Sequence, residues 1–282
     1  MSAPITVLDL LKKTQAYLAE RKVPNPRFEA ELLLSMALGM ERLQLFLNYD
    51  RPVTPAELEA SREPVRRRGR GEPYAYILGQ REFWSMVFEV GPGVLIPRPD
   101  TETLVTAALE WIPTEGEVFI ADVCAGTGAV GLAIAKDRPQ AKVYATELSA
   151  EALEFLKRNV ARHSLGDRVA SLRGDLLTPI PPHRPLDWVV SNPPYINAGL
   201  LPSLDVAKFE PSLALDGGED GLVIYRRLIP EAARRARRGV LVEIGHDQGA
   251  AVKALFESAG LADVEILRDL GGNERVVRGR RG

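Results

Sequence analysis

The amino-acid sequence predicts an α/β protein: a seven-stranded, mostly parallel sheet covered on both faces, preceded by a small N-terminal helical bundle and a β-hairpin linker. Three observations predict it. From Pro97 onward, short apolar runs alternate with helix-patterned stretches, as in a doubly wound sheet built from strand–helix crossovers. The first apolar run ends in a glycine-rich turn that opens a helix. From Thr6 to about Arg70, by contrast, the pattern is helical. The expected boundaries are 1–75 for the bundle, 76–96 for the linker and 97–282 for the α/β domain.

In the bundle, Asn25 before Pro26 reads as an N-cap followed by proline at the first helical position, opening the amphipathic run from Phe28 to Leu38. Thr54-Pro55-Ala56-Glu57 reads as a capping box, with the Glu57 side chain reaching back to the Thr54 amide. Arg62, Arg66, Arg67, Arg68 and Arg70 close the bundle as a solvated basic face that the helix dipole favours, with an acidic partner as the alternative. The run from Glu82 to Val90 is strongly β-prone and precedes Gly91-Pro92-Gly93, which suggests the hairpin. The strand candidates of the sheet are 118–123, 142–146, 170–173, 186–191, 239–244, 264–268 and 275–279.

Composition narrows the function classes. The 282 residues suffice for two cores, and 45% hydrophobic with 26% charged is ordinary for a globular protein. A formal net charge of −2 gives no global basic field, so direct nucleic-acid binding is not expected. Cys124 is the one cysteine, which forbids an internal disulfide and a cysteine-based zinc site, and it suits a reducing cytoplasm. The N-terminal run is broken by Asp9, Lys12 and Lys13 and reads as neither a signal peptide nor a spanning helix, so a cytoplasmic protein without membrane contact is expected. His163, His183 and His246 are scattered and are expected on the surface or in loops, so no metal site follows.

The glycine-rich turn is Asp122-Val123-Cys124-Ala125-Gly126-Thr127-Gly128, running into a helix near Ala129. Glycine lets a ligand approach backbone amides at a helix N-terminus, where partial positive charge favours an anionic group. Glu147 ends the second strand, at the distance where an acid accepts hydrogen bonds from ribose hydroxyls, and Asp175 closes the third and is placed to face an adenine. Gly126, Gly128 and Gly131 also satisfy a dinucleotide fingerprint, so the turn alone leaves methyl donor and dinucleotide open. Asp122 favours the methyl donor, because class I (Rossmann-like) methyltransferases carry an acid at the end of that strand where a dinucleotide fold has an apolar residue.

Asn192-Pro193-Pro194-Tyr195 follows the fourth strand, at the carboxyl edge where open α/β sheets bind ligands. The two prolines stiffen a loop that has carbonyls but few amides to donate. Such a loop suits an amide or exocyclic amine nitrogen, whose lone pair is delocalised and attacks poorly. The Asn192 side-chain oxygen and the Pro193 carbonyl can each accept an N–H of the target, and Tyr195 can stack on its flat face. With a sulfonium leaving group, positioning and electrostatics supply the catalysis.

These residues and others make the chain resemble the HemK/PrmC family of protein-(glutamine-N5) methyltransferases over nearly its whole length. The likeness includes Gly71-Glu72-Pro73, Gly79-Gln80-Arg81-Glu82-Phe83-Trp84 and Leu95-Ile96-Pro97-Arg98-Pro99-Asp100-Thr101-Glu102. It continues through Phe209-Glu210-Pro211, Leu215-Asp216-Gly217-Gly218, Asp220-Gly221-Leu222 and Arg268-Asp269-Leu270-Gly271-Gly272-Asn273-Glu274-Arg275. The resemblance implies methyl transfer from S-adenosyl-L-methionine, leaving S-adenosyl-L-homocysteine, to the glutamine of a Gly-Gly-Gln motif in peptide chain release factors, in support of translation termination. Asn192, Pro193, Pro194 and Tyr195 would be the catalytic residues. Asp122, Cys124, Ala125, Gly126, Thr127, Gly128, Glu147, Asp175, Leu176 and Asn192 would contact the donor. The bundle would engage the protein substrate, and a monomer is expected.

One departure from the family concerns Cys124, where glycine is usual; an extended backbone is expected there, to spare cysteine a positive φ. Asp100 is expected to cap a helix at Thr101, Arg98 to lie near the donor or the target loop, and Asp216, Glu219 and Asp220 to form a capped turn before a helix at Leu222. The rival readings are an adenine-N6 methyltransferase on DNA or RNA, which shares the Asn-Pro-Pro-Tyr chemistry but needs a basic, aromatic recognition surface, and a non-catalytic module on the same fold.

Overall fold

The computed structural model describes residues 4–282, which divide into two units, the first ending at Gly79 and the second running Gln80–Gly282. The first contains α1 (Val7–Glu20), α2 (Pro26–Leu38), α3 (Arg42–Leu47), α4 (Pro55–Gly69) and α5 (Tyr74–Leu78). Val7, Leu10, Leu11 and Leu18 of α1 meet Leu33 and Leu34 of α2 and Leu45 of α3 in one apolar core. The Thr54 capping box forms as expected: the Thr54 hydroxyl accepts from the Glu57 amide at 3.2 Å and the Glu57 carboxylate accepts from the Thr54 amide at 2.9 Å.

Asn25 differs from expectation. Its backbone is left-handed (φ 48°) and its side chain makes no capping bond, so Pro26 at the first helical position sets where α2 starts and Asn25 serves as the turn residue. The arginine run is largely neutralised within its own unit: Arg67 pairs with Glu72 at 2.5 Å, Arg68 with Glu29 at 2.8 Å and Arg66 with Glu63 at 3.0 Å.

The second unit opens with a hairpin, β1 (Gln80–Phe83) and β2 (Met86–Glu89). The turn falls inside the β-prone run, at Trp84 and Ser85, both in left-handed conformation (φ 52° and 50°), and not at Gly91–Gly93. The hairpin has Phe83, Met86 and Phe88 buried in the core of the second unit. Asn159 ties it down: fully buried, it accepts from the Glu89 amide at 2.7 Å and donates to the Glu89 carbonyl at 3.2 Å and the Thr127 carbonyl at 3.0 Å.

The sheet follows, made of β3 (Val118–Val123), β4 (Ala141–Glu147), β5 (Val169–Arg173), β6 (Trp188–Ser191), β7 (Gly239–Glu243), β8 (Leu261–Arg268) and β9 (Glu274–Arg281). Its spatial order is β5-β4-β3-β6-β7-β9-β8, with β9 antiparallel to both β7 and β8. Helix α6 (Glu102–Trp111) precedes β3, α7 (Ala129–Asp137) follows it, α8 (Ala150–Arg162) follows β4, α9 (Val223–Arg235) precedes β7 and α10 (Gly249–Ser258) follows it. Strand alternation builds two cores: Ile120, Val190 and Leu241 face one with α6 and α7, while Ala121, Val189 and Val240 face the other with α9 and α10. The order reverses between β3 and β6, which opens a crevice at their carboxyl ends.

Replacing Thr54 with Ala is expected to lower the unfolding free energy by about 1 kcal/mol, whereas Asn25→Gly changes it by no more than a few tenths, since no cap is lost. Urea unfolding followed by circular dichroism measures both. An equal loss in the two variants contradicts the assignment of the caps.

Candidate active site

β3 delivers Asp122 to the crevice, and the chain then reverses sharply into α7. The reversal places Cys124, Gly126 and Gly128 at φ 59°, 56° and 82°. The expected extended backbone at Cys124 is therefore not what the chain adopts; the turn after β3 demands a left-handed residue, at a cost of about 1–2 kcal/mol for a side chain other than glycine. Burial pushes the Cys124 thiol well up, so it stays protonated and is no nucleophile. Gly131, one turn into α7, is required by space: an added Cβ would lie 2.7 Å from Asp122 Oδ2. That closeness lets the Gly131 amide donate to Asp122 Oδ2 at 2.8 Å. Asp122 is 1% exposed, and burial raises its pKa to about 7, although the Gly131 amide pulls the other way.

Glu147 at the end of β4 clasps the turn from the other side. Oε2 accepts from the Gly126 amide at 2.8 Å and Oε1 from the Ser149 amide at 2.8 Å, while burial raises its pKa. Asp175 lies two residues beyond β5, half-exposed and ion-paired with Arg227, and Leu176 beside it is buried and left-handed (φ 48°). Together these residues line one cleft of about 1230 Å³ including its open mouth, whose wall carries Asp122, Cys124, Ala125, Gly126, Thr127, Glu147, Asp175, Leu176, Asn192 and Pro194. Gly128 stands behind it as the N-cap of α7. Leu148, a large apolar side chain left 47% exposed, also faces the cleft, as does Arg98.

The Asn-Pro-Pro-Tyr loop leaves β6 at the same edge. A second cavity beyond it is lined by Asn192, Pro193, Tyr195, Arg98 and Glu243, so Asn192 borders both spaces. The Asn192 Nδ2 donates to the Thr101 hydroxyl at 3.2 Å, which leaves Oδ1 as the free acceptor. The Tyr195 hydroxyl donates to Glu243 Oε1 at 3.3 Å, and Gln248 Nε2 donates to the Tyr195 carbonyl at 2.9 Å. Gly217 and Gly221 press against this loop, where an added Cβ would lie 2.7 Å from the Tyr195 Cα and 2.5 Å from its carbonyl oxygen. The turn that carries them is held by Asp216, which accepts from the Gly218 amide at 2.8 Å, and by Asp220, which accepts from the Leu222 amide at 3.0 Å.

Residues 201–214 form short 3-10 turns over the cavities, fastened by Glu210, which is 5% exposed, accepts from the Ile96 amide at 3.0 Å and pairs with Arg98. Asp100 does not cap a helix. It lies in a 3-10 turn, Pro99–Thr101, that feeds α6, and its carboxylate faces Arg275 at 3.5 Å. Thr101 and Glu243 carried no site role in the sequence reading. The signal for Glu243 was available as a lone carboxylate closing the apolar strand Gly239-Val240-Leu241-Val242. Among the described residues no group of His, Cys, Asp and Glu could hold a metal ion, and no helix is long and apolar enough to cross a membrane.

A seven-stranded sheet of this order, with a glycine turn after its first strand and Asn-Pro-Pro-Tyr after its fourth, defines a class I methyltransferase. Comparison with known proteins supports that class and narrows it. Residues 9–79 match the PrmC N-terminal domain and residues 101–208 the methyltransferase small domain. The release factor glutamine methyltransferase of Geobacter sulfurreducens is 43% identical over 98% of this chain and 97% of its own length. That of Moorella thermoacetica is 41% identical over 96% and 97%. Among solved structures, the hMettl16 catalytic domain in complex with an RNA hairpin superposes with a TM-score of 0.59 at 16% identity, covering 78% of this chain and 82% of that one; this shows the fold alone. The chain belongs to the release factor glutamine methyltransferase family.

Two outcomes follow from the turn. Cys124→Gly leaves the protein at least as stable as the parent, whereas Cys124→Val, a β-branched side chain at positive φ, costs about 1–2 kcal/mol or more in urea unfolding. Asp122 has a folded pKa of about 7, above its unfolded value, so ionising it opposes folding. Its share of the stability is therefore greatest below the unfolded pKa and declines as pH rises to about 7. Asp122→Asn should flatten that decline in a pH series of melting temperatures, and an unchanged slope would count against the buried carboxyl as its source.

Proposed function

We propose that this chain transfers the methyl group of S-adenosyl-L-methionine to the side-chain amide nitrogen of the Gly-Gly-Gln glutamine in peptide chain release factors. The carrying observation is the place of Asn192, which borders both cavities and has its Nδ2 committed to Thr101, so that an acceptor oxygen faces the junction between them.

The first cleft fits S-adenosyl-L-methionine. Its turn presents backbone at the N-terminus of α7, Glu147 is braced by two amides at its rim, and Leu148 and Leu176 offer apolar faces to an adenine. Residues 124–128, Asp122, Glu147, Asp175, Leu176 and Asn192 would hold it. When bound, it supplies an electrophilic methyl group on a sulfonium. The chain's own part is to orient the nucleophile: Asn192 Oδ1 and the Pro193 carbonyl accept the two N–H groups of the target amide, turning its lone pair toward the donor cleft. The Tyr195 ring packs beside the amide plane. Burial and the Glu243 carboxylate keep its hydroxyl protonated, so Tyr195 is a wall and not a base. The surplus proton leaves to water or through the two acceptors.

Arg66, Arg67 and Arg68 are each paired with a glutamate of their own unit, which lowers the basic charge of that run and speaks against the adenine-N6 reading. The N-terminal bundle engages the protein substrate in this proposal, and it has exposed apolar side chains to offer in Leu43 and Leu47 of α3. In this proposal the enzyme works in the cytoplasm, where release factors act.

The test is transfer of labelled methyl to a release factor, with its Gly-Gly-Gln glutamine changed to alanine as control. Label on the parent factor alone supports the reading; label persisting on the alanine variant, or passing to DNA, refutes it. Asn192→Ala is expected to keep donor binding and lower turnover by roughly a hundredfold or more, as for the loss of one preorganised hydrogen-bonding group. Calorimetric donor affinity alongside kcat separates the two effects.

A further inference from the structure

Glu243 closes β7, a strand otherwise wholly apolar, and is 1% exposed. No lysine or arginine makes an ion pair with it among the described residues, and its Oε2 is buried without a hydrogen-bond partner. A buried carboxylate left so poorly satisfied is costly, and such groups mark sites where the charge is used. What surrounds it is the substrate side of the site. Oε1 accepts from the Tyr195 hydroxyl at 3.3 Å, the Thr101 hydroxyl accepts from Asn192 Nδ2 at 3.2 Å, and Thr101 is among the side chains that draw the Glu243 pKa down, so the unpartnered Oε2 is the acceptor left for its proton.

We infer that Glu243 is the positioning residue of the transfer site, a buried carboxylate that acts through the hydroxyls of Thr101 and Tyr195 to fix which end of the Asn192 amide faces the target. The inference rests on the reading of Asn192 Oδ1 as the acceptor for the target nitrogen. A threonine hydroxyl by itself has no preferred direction: it can accept from an amide Nδ2 or donate to an amide Oδ1 with equal ease. An ionised carboxylate can only accept. Facing Glu243, the Thr101 proton is committed to it, and the lone pairs that remain can only receive Asn192 Nδ2–H. The asparagine is thereby locked with Oδ1 outward. Turned the other way, it would present two N–H donors to the target nitrogen, which itself has only N–H groups to offer, and the acceptor for that nitrogen would be lost.

The lock depends on ionisation. Burial pushes the Glu243 pKa up to about 7, Thr101, Arg275 and Tyr195 draw it down, and Asp100 adds to the rise. These groups face it from the 3-10 turn before α6, from β9 and from the loop after β6, while the Tyr225 hydroxyl on α9 donates to its main-chain carbonyl at 2.7 Å. Below about pH 7 a protonated Glu243 has a hydrogen to give, and the Thr101 relay loses its direction. Turnover should therefore fall as pH drops through that range while donor affinity holds.

The experiment compares Thr101→Val, Thr101→Ser and Glu243→Gln, each shown folded by circular dichroism. Thr101→Val and Glu243→Gln are expected to lower kcat on a release factor at least about tenfold, less than loss of the acceptor itself, with donor affinity and the KM for the factor nearly unchanged. Thr101→Ser should restore turnover, and Glu243→Gln should abolish the acid limb of the pH profile. Because Asp122 titrates in the same range, only loss of that limb in Glu243→Gln assigns it to Glu243.

A second readout needs no substrate. In protein labelled with 15N-asparagine, the Asn192 side-chain signal, identified by its loss in Asn192→Ala, should shift and exchange faster in Thr101→Val and Glu243→Gln. The inference is overturned by full turnover in Thr101→Val, by losses confined to donor binding or to KM, or by an unmoved Asn192 signal. A parent enzyme that methylates no release factor while the Asn192 signal moves as described sinks the substrate reading and leaves the positioning role standing.

Discussion

Carboxylates buried at the carboxyl ends of the parallel strands hold this site together. Asp122 at the end of β3 takes the Gly131 amide, Glu147 at the end of β4 takes the amides of Gly126 and Ser149, and Glu243 at the end of β7 takes the Tyr195 hydroxyl. Each lies in low dielectric and is raised in pKa by desolvation, a cost that only hydrogen bonds to fixed donors offset. The loops they grip could otherwise move freely, because a loop at a sheet edge has few apolar contacts of its own. Parallel register brings the three acids to one rim, and the reversal of strand order between β3 and β6 opens the space between them.

The same rim explains where glycine is demanded and where the chain departs from it. Gly131 is a matter of space against Asp122, and Gly217 and Gly221 of space against Tyr195. Cys124 is a matter of backbone angle: it accepts a left-handed conformation that glycine would adopt without strain. The cysteine is tolerated because the turn is over-determined, with the Ala125 amide bonded to the Thr146 carbonyl at 3.0 Å and the Gly128 amide to the Ala125 carbonyl at 2.7 Å. Strain at a ligand-facing turn is thus stored in local geometry and met by the hydrogen bonds of neighbouring strands.

Much of the fold was legible because its signals are local. Near-continuous apolar runs in β3, β6 and β7 announced strands buried on both faces, and Thr54 with Glu57 announced a helix start, since each pattern needs only its own few residues. The readings that failed needed knowledge of a backbone angle. Asn25 has the chemistry of an N-cap but sits left-handed, Asp100 falls in a 3-10 turn ahead of α6, and the hairpin turns at Trp84 and Ser85 where no glycine advertises it. Propensity weighs residue types, while tertiary packing chose those angles: Phe83, Met86 and Phe88 reach the core only if the chain reverses between them.

The sequence by itself determined the class of chemistry and most of the residues at the two cavities, because a strand, a glycine turn and an Asn-Pro-Pro-Tyr loop each encode their geometry within a short stretch. Only the tertiary structure decided how those groups are aimed. Thr101 lies 91 residues before Asn192, and Glu243 48 residues after Tyr195, so no local pattern could couple them. Their meeting depends on the placing of β6 beside β7 in one sheet, and hydrogen-bond direction, unlike helix or strand preference, exists only once the partners are in place.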